Sequence, residues 1–378
     1  MSEVILNDIC ELIVDCPHTT AVDEGHGYPL VRTPNIGKGR LVYNGMHRVS
    51  EEVYNKRNFR AVPQEDDLIF AREATAGNVA LIQKGEKVCL GQRTVLLRPN
   101  KALVNPTFLT YFLLAPKQQY NLLCTANGAT VAHVNMSTIR NLKLELPHLQ
   151  IQNKIATILS RYDSLIENYQ KQIKLLEESA QRLYKEWFID FRFPGHENTK
   201  IVDGVPEGWE KNKLGDISPI KTGKKDANFG QVDGEFPFFT CAQEPIKSPS
   251  YSFDTSAVIL AGNGDFNVKM YRGKFEAYQR TYVLEPNDVN MLYLLFFCVL
   301  ENMNKLATGA SGSTIKFLTK GMIESLDLYV PTIDTLCAFN KIIEPIQRQK
   351  ENLSTQIRHL TEARDRLLPK LMSGEIEI

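Results

Sequence analysis

The sequence predicts an α+β protein in which two repeated α/β globular domains alternate with two long helices that pair as a coiled coil. Three observations predict it. Residues 126–147 ("ANGATVAHVNMSTIRNLKLELP") are echoed by residues 309–331 ("GASGSTIKFLTKGMIESLDLYVP"): aligned on the final prolines, Gly128 meets Gly312, Thr130 meets Thr314, Ile139 meets Ile323, and Leu142 and Leu144 meet Leu326 and Leu328. Upstream, "GQRTVLLRPN" (residues 91–100) is echoed by "YQRTYVLEPN" (residues 278–287). Downstream of each proline runs a long segment with apolar residues at alternating steps of four and three. A chain that repeats itself at this scale is built from equivalent units.

The elements follow in order within each copy. After the "QRT" segment comes an apolar stretch, "FLTYFLLA" or "LYLLFFCVL", whose length without Gly or Pro predicts a buried helix. The Gly-Thr loop follows; whether it touches phosphate or only sets a turn stays open. "LKLELP" and "LDLYVP" then alternate with period two, as half-buried strands do.

Beyond the first proline, residues 149–190 hold no Gly or Pro, and Ile155, Ile158, Tyr162, Leu165, Tyr169, Leu176 and Leu183 mark a coiled-coil seam. The second copy carries Ile343, Ile346, Leu353, Ile357, Leu360 and Leu367, with Lys350 and Arg364 as polar seam members. Pro345 predicts a kink or a late start there, because proline clashes with the preceding turn. A solitary helix of about 40 residues cannot bury such a seam, so the two helices are expected to pair. Parallel and antiparallel pairing are both sterically allowed. The alternative is that each helix packs on its own globular domain. Residues 191–210, rich in Gly, Pro and polar residues, read as a connector.

Composition bounds the function. At 378 residues, 43% hydrophobic, 23% charged and net charge zero, the chain has the make-up of a soluble protein of more than one domain. Its longest apolar run, residues 291–300, is about half of the ~20 residues a membrane span needs. Seven cysteines without CxxC spacing, and no signal-peptide pattern at the start, fit reduced thiols in a cytoplasmic protein. "GKK" at residues 223–225 is not a phosphate-binding loop, and "AGNGDFN" lacks the third glycine of a dinucleotide fingerprint. Neither a Pro-Asp nuclease start nor an Asn-Pro-Pro-aromatic methyltransferase motif occurs. Cys10, Cys16, His18 and His26 match no standard zinc spacing. The chain reads as non-enzymatic, with no catalytic residue, no metal site and no cofactor of its own.

What remains is local positive charge. Arg32, Lys38, Arg40, Arg48, Lys56, Arg57 and Arg60 cluster in the first domain. Lys211, Lys213, Lys221, Lys224, Lys225, Lys269, Arg272, Lys274 and Arg280 do so in the second. Basic loops interleaved with Asn, Thr, Gly and aromatics suit phosphate contact and base reading. The DNA-binding candidates are Arg32, Lys38, Arg40, Arg72, Thr130, Lys221, Lys224, Lys225, Lys269, Arg272, Arg280, Thr314 and Lys316. Of these, Arg32, Arg72 and Arg280 have the fork that grips a guanine edge, although Arg280 in the repeated "QRT" can equally be structural, like Arg93.

The whole chain resembles the specificity subunits of type I restriction–modification enzymes. The likeness is carried by "LNDICELIVDCPHTT" and "KLGDISPIKTGKK" at the domain starts and by residues 146–188, "LPHLQIQ" onward, in the centre. It continues in "IQRQKENLSTQIRHLTEARDRLLPKLMSGEIEI" at the end; "TLCAFNKIIEPI" departs from the glutamine-rich form at the start of the second helix. The resemblance implies target-recognition domains at residues 1–148 and 191–331 (the latter including the linker), and conserved helical regions at 149–190 and 332–378. It implies a pseudo-twofold arrangement with an antiparallel coil acting as a ruler. Each domain would read half of a bipartite, asymmetric double-stranded DNA site. Two modification (methyltransferase) subunits holding S-adenosylmethionine would dock on the helices, and restriction subunits would supply ATP- and Mg-dependent translocation and cleavage. Two competing readings are a coiled-coil scaffold joining protein partners without reading DNA, and a self-contained DNA enzyme.

Overall fold

The structure is a computed structural model that describes residues 2–124, 133–312 and 316–378. The chain divides into two compact units, Met1–Tyr169 with Thr355–Ile378, and Gln170–Ser354. Among the described residues no helix is long and apolar enough to cross a membrane.

In the first unit a four-stranded sheet runs in the order Cys10–Asp15, Thr94–Pro99, Leu68–Ala71, Val79–Leu81. The strand Leu68–Ala71 is buried on both faces, so its period-two alternation feeds two cores. Leu68 and Phe70 join Val95, Leu97 and the helix residues Phe108 and Phe112. Ile69 and Ala71 join Val31, Ala80 and Leu96 on the other side. That helix, Pro106–Leu114, starts where the sequence dictates: Pro106 needs no amide partner at the first position, and the Asn105 side chain accepts from the Phe108 amide at 2.9 Å. The strand Ser2–Ile5 pairs antiparallel with Lys143–Leu146, Val4 opposite Leu144.

The second unit carries the same plan on a six-stranded sheet, Ile220–Thr222, Thr281–Leu284, Phe253–Ala261, Val268–Ala277, Phe236–Phe239, Ile246–Ser248. Val258 and Leu260 face the core holding helix Leu292–Glu301, while Ala257 and Ile259 face Phe239 and Phe275.

The repeat read in the sequence is a repeat of backbone hydrogen bonds. The Leu6 amide donates to Leu142 O (2.9 Å), as Leu214 does to Leu326 O (2.9 Å). Cys16 donates to Thr94 O (3.1 Å), as Gly223 does to Thr281 O (3.2 Å). Arg72 and Gly262 donate to Arg93 O and Arg280 O (3.0 and 2.8 Å). Val134 and Leu318 donate to Arg72 O and Gly262 O (3.0 and 2.8 Å). These bonds fix which residue of one copy stands in the place of which residue of the other.

The long helices are Leu149–Tyr184, ending in a π-helical turn Lys185–Ile189, and Ile333–Ser373. In the first unit, Ile155 and Leu159 share a core with Leu367 and Leu371, and further along Asp163 meets Arg364 at 2.6 Å. In the second unit, Glu177 meets Lys350 at 2.8 Å, and further along Phe188 packs edge-on against Phe339 with ring centroids 4.7 Å apart. In each unit one helix advances as the other retreats, so the pairing is antiparallel.

Two expectations are corrected. Leu165 is 43% exposed, whereas Leu159 and Ile166 are 0% and 9% exposed. The buried stripe is displaced because this helix also packs on its own globular domain, through Gln152 to the Asn105 amide (2.9 Å) and Tyr111 to Asp163. Pairing and packing on the domain, posed as alternatives, occur together. The second correction is at Pro345, where helix Ile333–Ser373 continues without a late start. Proline leaves only the Lys341 carbonyl without its helical partner, and both residues are exposed to water.

Candidate nucleic-acid interface

In the first unit, strand ends converge where Cys16, Arg72, Arg93 and Val134 exchange the backbone bonds above. This brings five charged or titratable side chains into one chain of contacts. Arg72 Nη1 lies 2.8 Å from Asp15 Oδ2, and its Nη2 lies 2.9 Å from His133 Nε2. His133 Nδ1 lies 2.7 Å from Glu73 Oε1, and Glu73 Oε2 lies 2.7 Å from Arg93 Nη1. Arg72 is only 9% exposed and also donates from Nε to Val134 O (3.0 Å). Its donors are spent on the protein, so it positions its neighbours rather than reaching outward. Arg93 holds φ +67°, a backbone conformation costing on the order of 1–3 kcal/mol that persists where the surroundings over-determine it.

The second unit places Thr222, Gly223, Gly262, Asn263 and Phe317 on the frame that carries Asp15, Cys16, Arg72, Glu73 and His133 in the first. Gly223 is obligatory: a Cβ there would lie 2.0 Å from Ala277 O. The segment after it bonds back through Gln279 N to Lys225 O (2.9 Å), which brings Lys224 and Lys225 beside exposed Arg280. Lys225 Nζ stands 4.3 Å above the Phe229 ring, and Lys221 Nζ is 2.6 Å from Glu285, whose carboxyl is held below its usual range by that bond and one from Thr255.

The other candidates separate into free and engaged. Lys38, Lys224, Arg280 and Lys316 are exposed, with no side-chain partner among the described residues. Arg32 Nη2 donates to Gly45 O (2.8 Å) and Arg40 Nε lies 2.6 Å from Glu167 on the first long helix. Arg272 lies over the Tyr293 ring at 5.2 Å and 3.8 Å from Glu344. Lys269 donates to Ala242 O (2.9 Å) and to the Asn267 side chain, and burial pushes its ammonium below its ordinary value. Thr130 and Thr314, with Gly128, lie outside the described residues. Burial pushes the Cys10 thiol up to about 12, and no cluster of three or more His, Cys, Asp or Glu able to hold a metal occurs among the described residues.

Sequence reasoning missed Asp15, Glu73 and His133, since they come from three separate segments. The shared "QRT" was the one available signal, because it marks Arg93 and Arg280 as occupants of one scaffold position.

A duplicated α/β scaffold joined to paired long helices defines the class, and comparison with known proteins names it. The family described as type I restriction modification DNA specificity domain matches residues 1–178 and 206–362, and the chain belongs to this family. The type I restriction enzyme MjaIX specificity subunit of Methanocaldococcus jannaschii is 26% identical, over 99% of this chain and 93% of its own length. The EcoDI specificity subunit of Escherichia coli is 36% identical, over 46% of this chain and 39% of its own. The crystal structure of the type I restriction–modification S subunit from M. genitalium shares the fold, with a TM-score of 0.60 and 16% identity over 98% of this chain and 95% of that one. The chain is thus a type I specificity subunit, the non-catalytic component of such a system.

Proposed function

We propose that residues 1–148 and 191–331 each read one half of a bipartite, asymmetric DNA site, and that the helical regions 149–190 and 332–378 set the spacer and dock two modification subunits. The observation that carries this reading is the shared backbone frame with unlike side chains. Asp15, Arg72, Glu73 and His133 in one copy stand where Thr222, Gly262, Asn263 and Phe317 stand in the other. One scaffold with two chemistries suits two different half-sites, because base edges are told apart by donor and acceptor pattern.

Phosphate contact falls to the exposed cations Lys38, Lys224, Arg280 and Lys316 and to half-buried Lys225, with Thr130 and Thr314 as further candidates. Methyl transfer from S-adenosylmethionine belongs to the modification subunits, and ATP- and Mg-dependent translocation and cleavage to restriction subunits, in the cytoplasm. The helix Leu149–Tyr184, 36 residues long, spans about 54 Å at 1.5 Å per residue. That length is compatible with two readers meeting one face of DNA about a helical turn, ~34 Å, apart. The test is to map methylated adenines in cells expressing this chain with its partner methylase. A split, asymmetric motif is expected. Methylation independent of this chain, together with no sequence-selective DNA affinity, would instead favour a scaffold that joins proteins.

A further inference from the structure

Both units place an arginine at the same backbone position, in opposite electrostatic surroundings. The Arg93 and Arg280 carbonyls accept from Arg72 N and Gly262 N at 3.0 and 2.8 Å. The threonines that follow them pair with Ala71 and Ala261 in the same register. One residue beyond Arg72, Glu73 lies 2.7 Å from the Arg93 guanidinium. One residue beyond Gly262 stands Asn263, a neutral amide whose Oδ1 accepts from the Cys241 thiol at 2.7 Å. Asp15 is likewise replaced by Thr222. Arg280 is exposed, and no carboxylate pairs with it among the described residues.

We propose that Glu73 withholds Arg93 from DNA in the first domain, and that Arg280, which has no such carboxylate, contacts DNA in the second. The inference rests on the DNA-reading function proposed above. An exposed ion pair alone would yield to a phosphate. Glu73 is different, because its other oxygen is held by His133 at 2.7 Å and the side chain is 18% exposed. It cannot swing away when a phosphate approaches, and it repels that phosphate. In the first patch Asp15 and Glu73 offset Arg72 and Arg93, whereas at the equivalent positions of the second, Thr222, Gly262 and Asn263 leave Arg280 uncompensated, with Lys224 and Lys225 beside it.

The experiment uses the complex with its modification subunits and measures anisotropy on the methylation-mapped cognate duplex and a scrambled one over a salt series. Arg280→Ala should weaken cognate binding at least ~5-fold. Glu73→Gln keeps an acceptor for His133 while removing the charge, so it should tighten binding and steepen the salt slope by about 0.9. Asn263→Glu should reproduce the loss seen with Arg280→Ala. Arg280→Ala binding within about two-fold of the parent, or Glu73→Gln with unaltered affinity and slope, overturns the proposal. If Glu73→Gln melts early, Asn263→Glu decides whether a carboxylate at this position withholds the arginine, and Arg280→Ala decides whether that arginine contacts DNA. A parent complex with no affinity for either duplex defeats the DNA-reading function itself, before any variant is compared.

Discussion

Arg364 Nη1 on the second long helix lies 2.6 Å from Asp163 Oδ1 on the first, and their side chains are only 17% and 5% exposed. Asp163 Oδ2 also accepts from the Tyr111 hydroxyl, whose phenol is pushed above its ordinary value by burial and by that carboxylate. A buried pair is costly to break from one side, because the partner keeps its charge away from water. Arg364→Ala should therefore destabilise the first unit by about 3–5 kcal/mol. Replacing both residues by leucine should recover most of that loss, since the buried charges disappear together. Denaturant unfolding of the three proteins checks this; a loss below about 1 kcal/mol for the single variant would show that the pair is solvated.

Arg72 gives a second, separate expectation. A base-reading arginine can be removed with little effect on folding, but Arg72 is tied to Asp15, His133 and Val134 O. Arg72→Ala should lower the stability of the first unit by about 1–3 kcal/mol, because Asp15, His133 and the Val134 carbonyl all lose its donors and Asp15 keeps only His18, 3.3 Å away. A melting temperature equal to the parent's, with DNA binding abolished, would return Arg72 to the interface.

Thiol accessibility tests the packing without DNA. Burial raises the Cys298 thiol to about 12 and the Cys89 thiol to about 11, whereas Cys124 and Cys337 are exposed. The thiolate is the reactive form, so iodoacetamide should label Cys124 and Cys337 first in the native protein. Cys89 and Cys298 should react only on unfolding. Mass spectrometry over time reads the order, and early labelling of Cys298 would contradict the core around helix Leu292–Glu301.

The first long helix was legible because residues 149–190 hold no Gly or Pro, and the second because Lys350 and Arg364 fall in phase with its apolar positions. Their polar partners, Glu177 and Asp163, were not legible, since a carboxylate in a charged helix looks like a solvated one. Leu165 misled for a related reason. A period of three and four defines a stripe, but a helix that also leans on its own domain through Gln152 and Asp163 turns that stripe. Of the two outcomes expected at Pro345, the late start does not occur, because a missing amide on a water-facing turn leaves only a solvated carbonyl. At the interface, sequence supplied the free cations Lys224 and Arg280 but ranked engaged residues such as Arg32, Arg40 and Arg272 beside them. Partners brought in from distant segments decide which cations remain free, and periodicity carries no record of them.

The ruler idea makes a prediction about spacing. Inserting about four residues near Gln170 adds roughly one helical turn, keeps the seam nearly in phase and lengthens the helix by ~6 Å. Methylated half-sites should persist while the gap between them grows by about two base pairs at ~3.4 Å each. Altered half-sites with an unaltered gap would defeat the ruler.

The lysine loop separates affinity from specificity, and here the structure sharpens the expectation. From sequence, Lys221, Lys224 and Lys225 are three equivalent point charges beside Gly223, suited to phosphates rather than to bidentate base recognition. A lysine that neutralises one phosphate contributes about 0.9 to the slope of log affinity against log salt, so removing all three would lower that slope by up to ~3. Lys221, however, is 2.6 Å from Glu285, whose other oxygen is held by Thr255 at 2.7 Å, so this carboxylate stays in place and already neutralises it. Lys225 rests on the Phe229 ring and Lys224 is exposed, so both keep their charge. Changing all three to alanine should thus lower the slope by ~1–2, and Lys221→Ala alone should leave it nearly unaltered. Binding to cognate and scrambled duplexes should weaken together, because phosphates carry no sequence. Salt titrations with the modification subunits present distinguish the outcomes. An unchanged slope in the triple variant would remove this loop from the DNA interface, and a loss confined to the cognate duplex would make it a reader of bases.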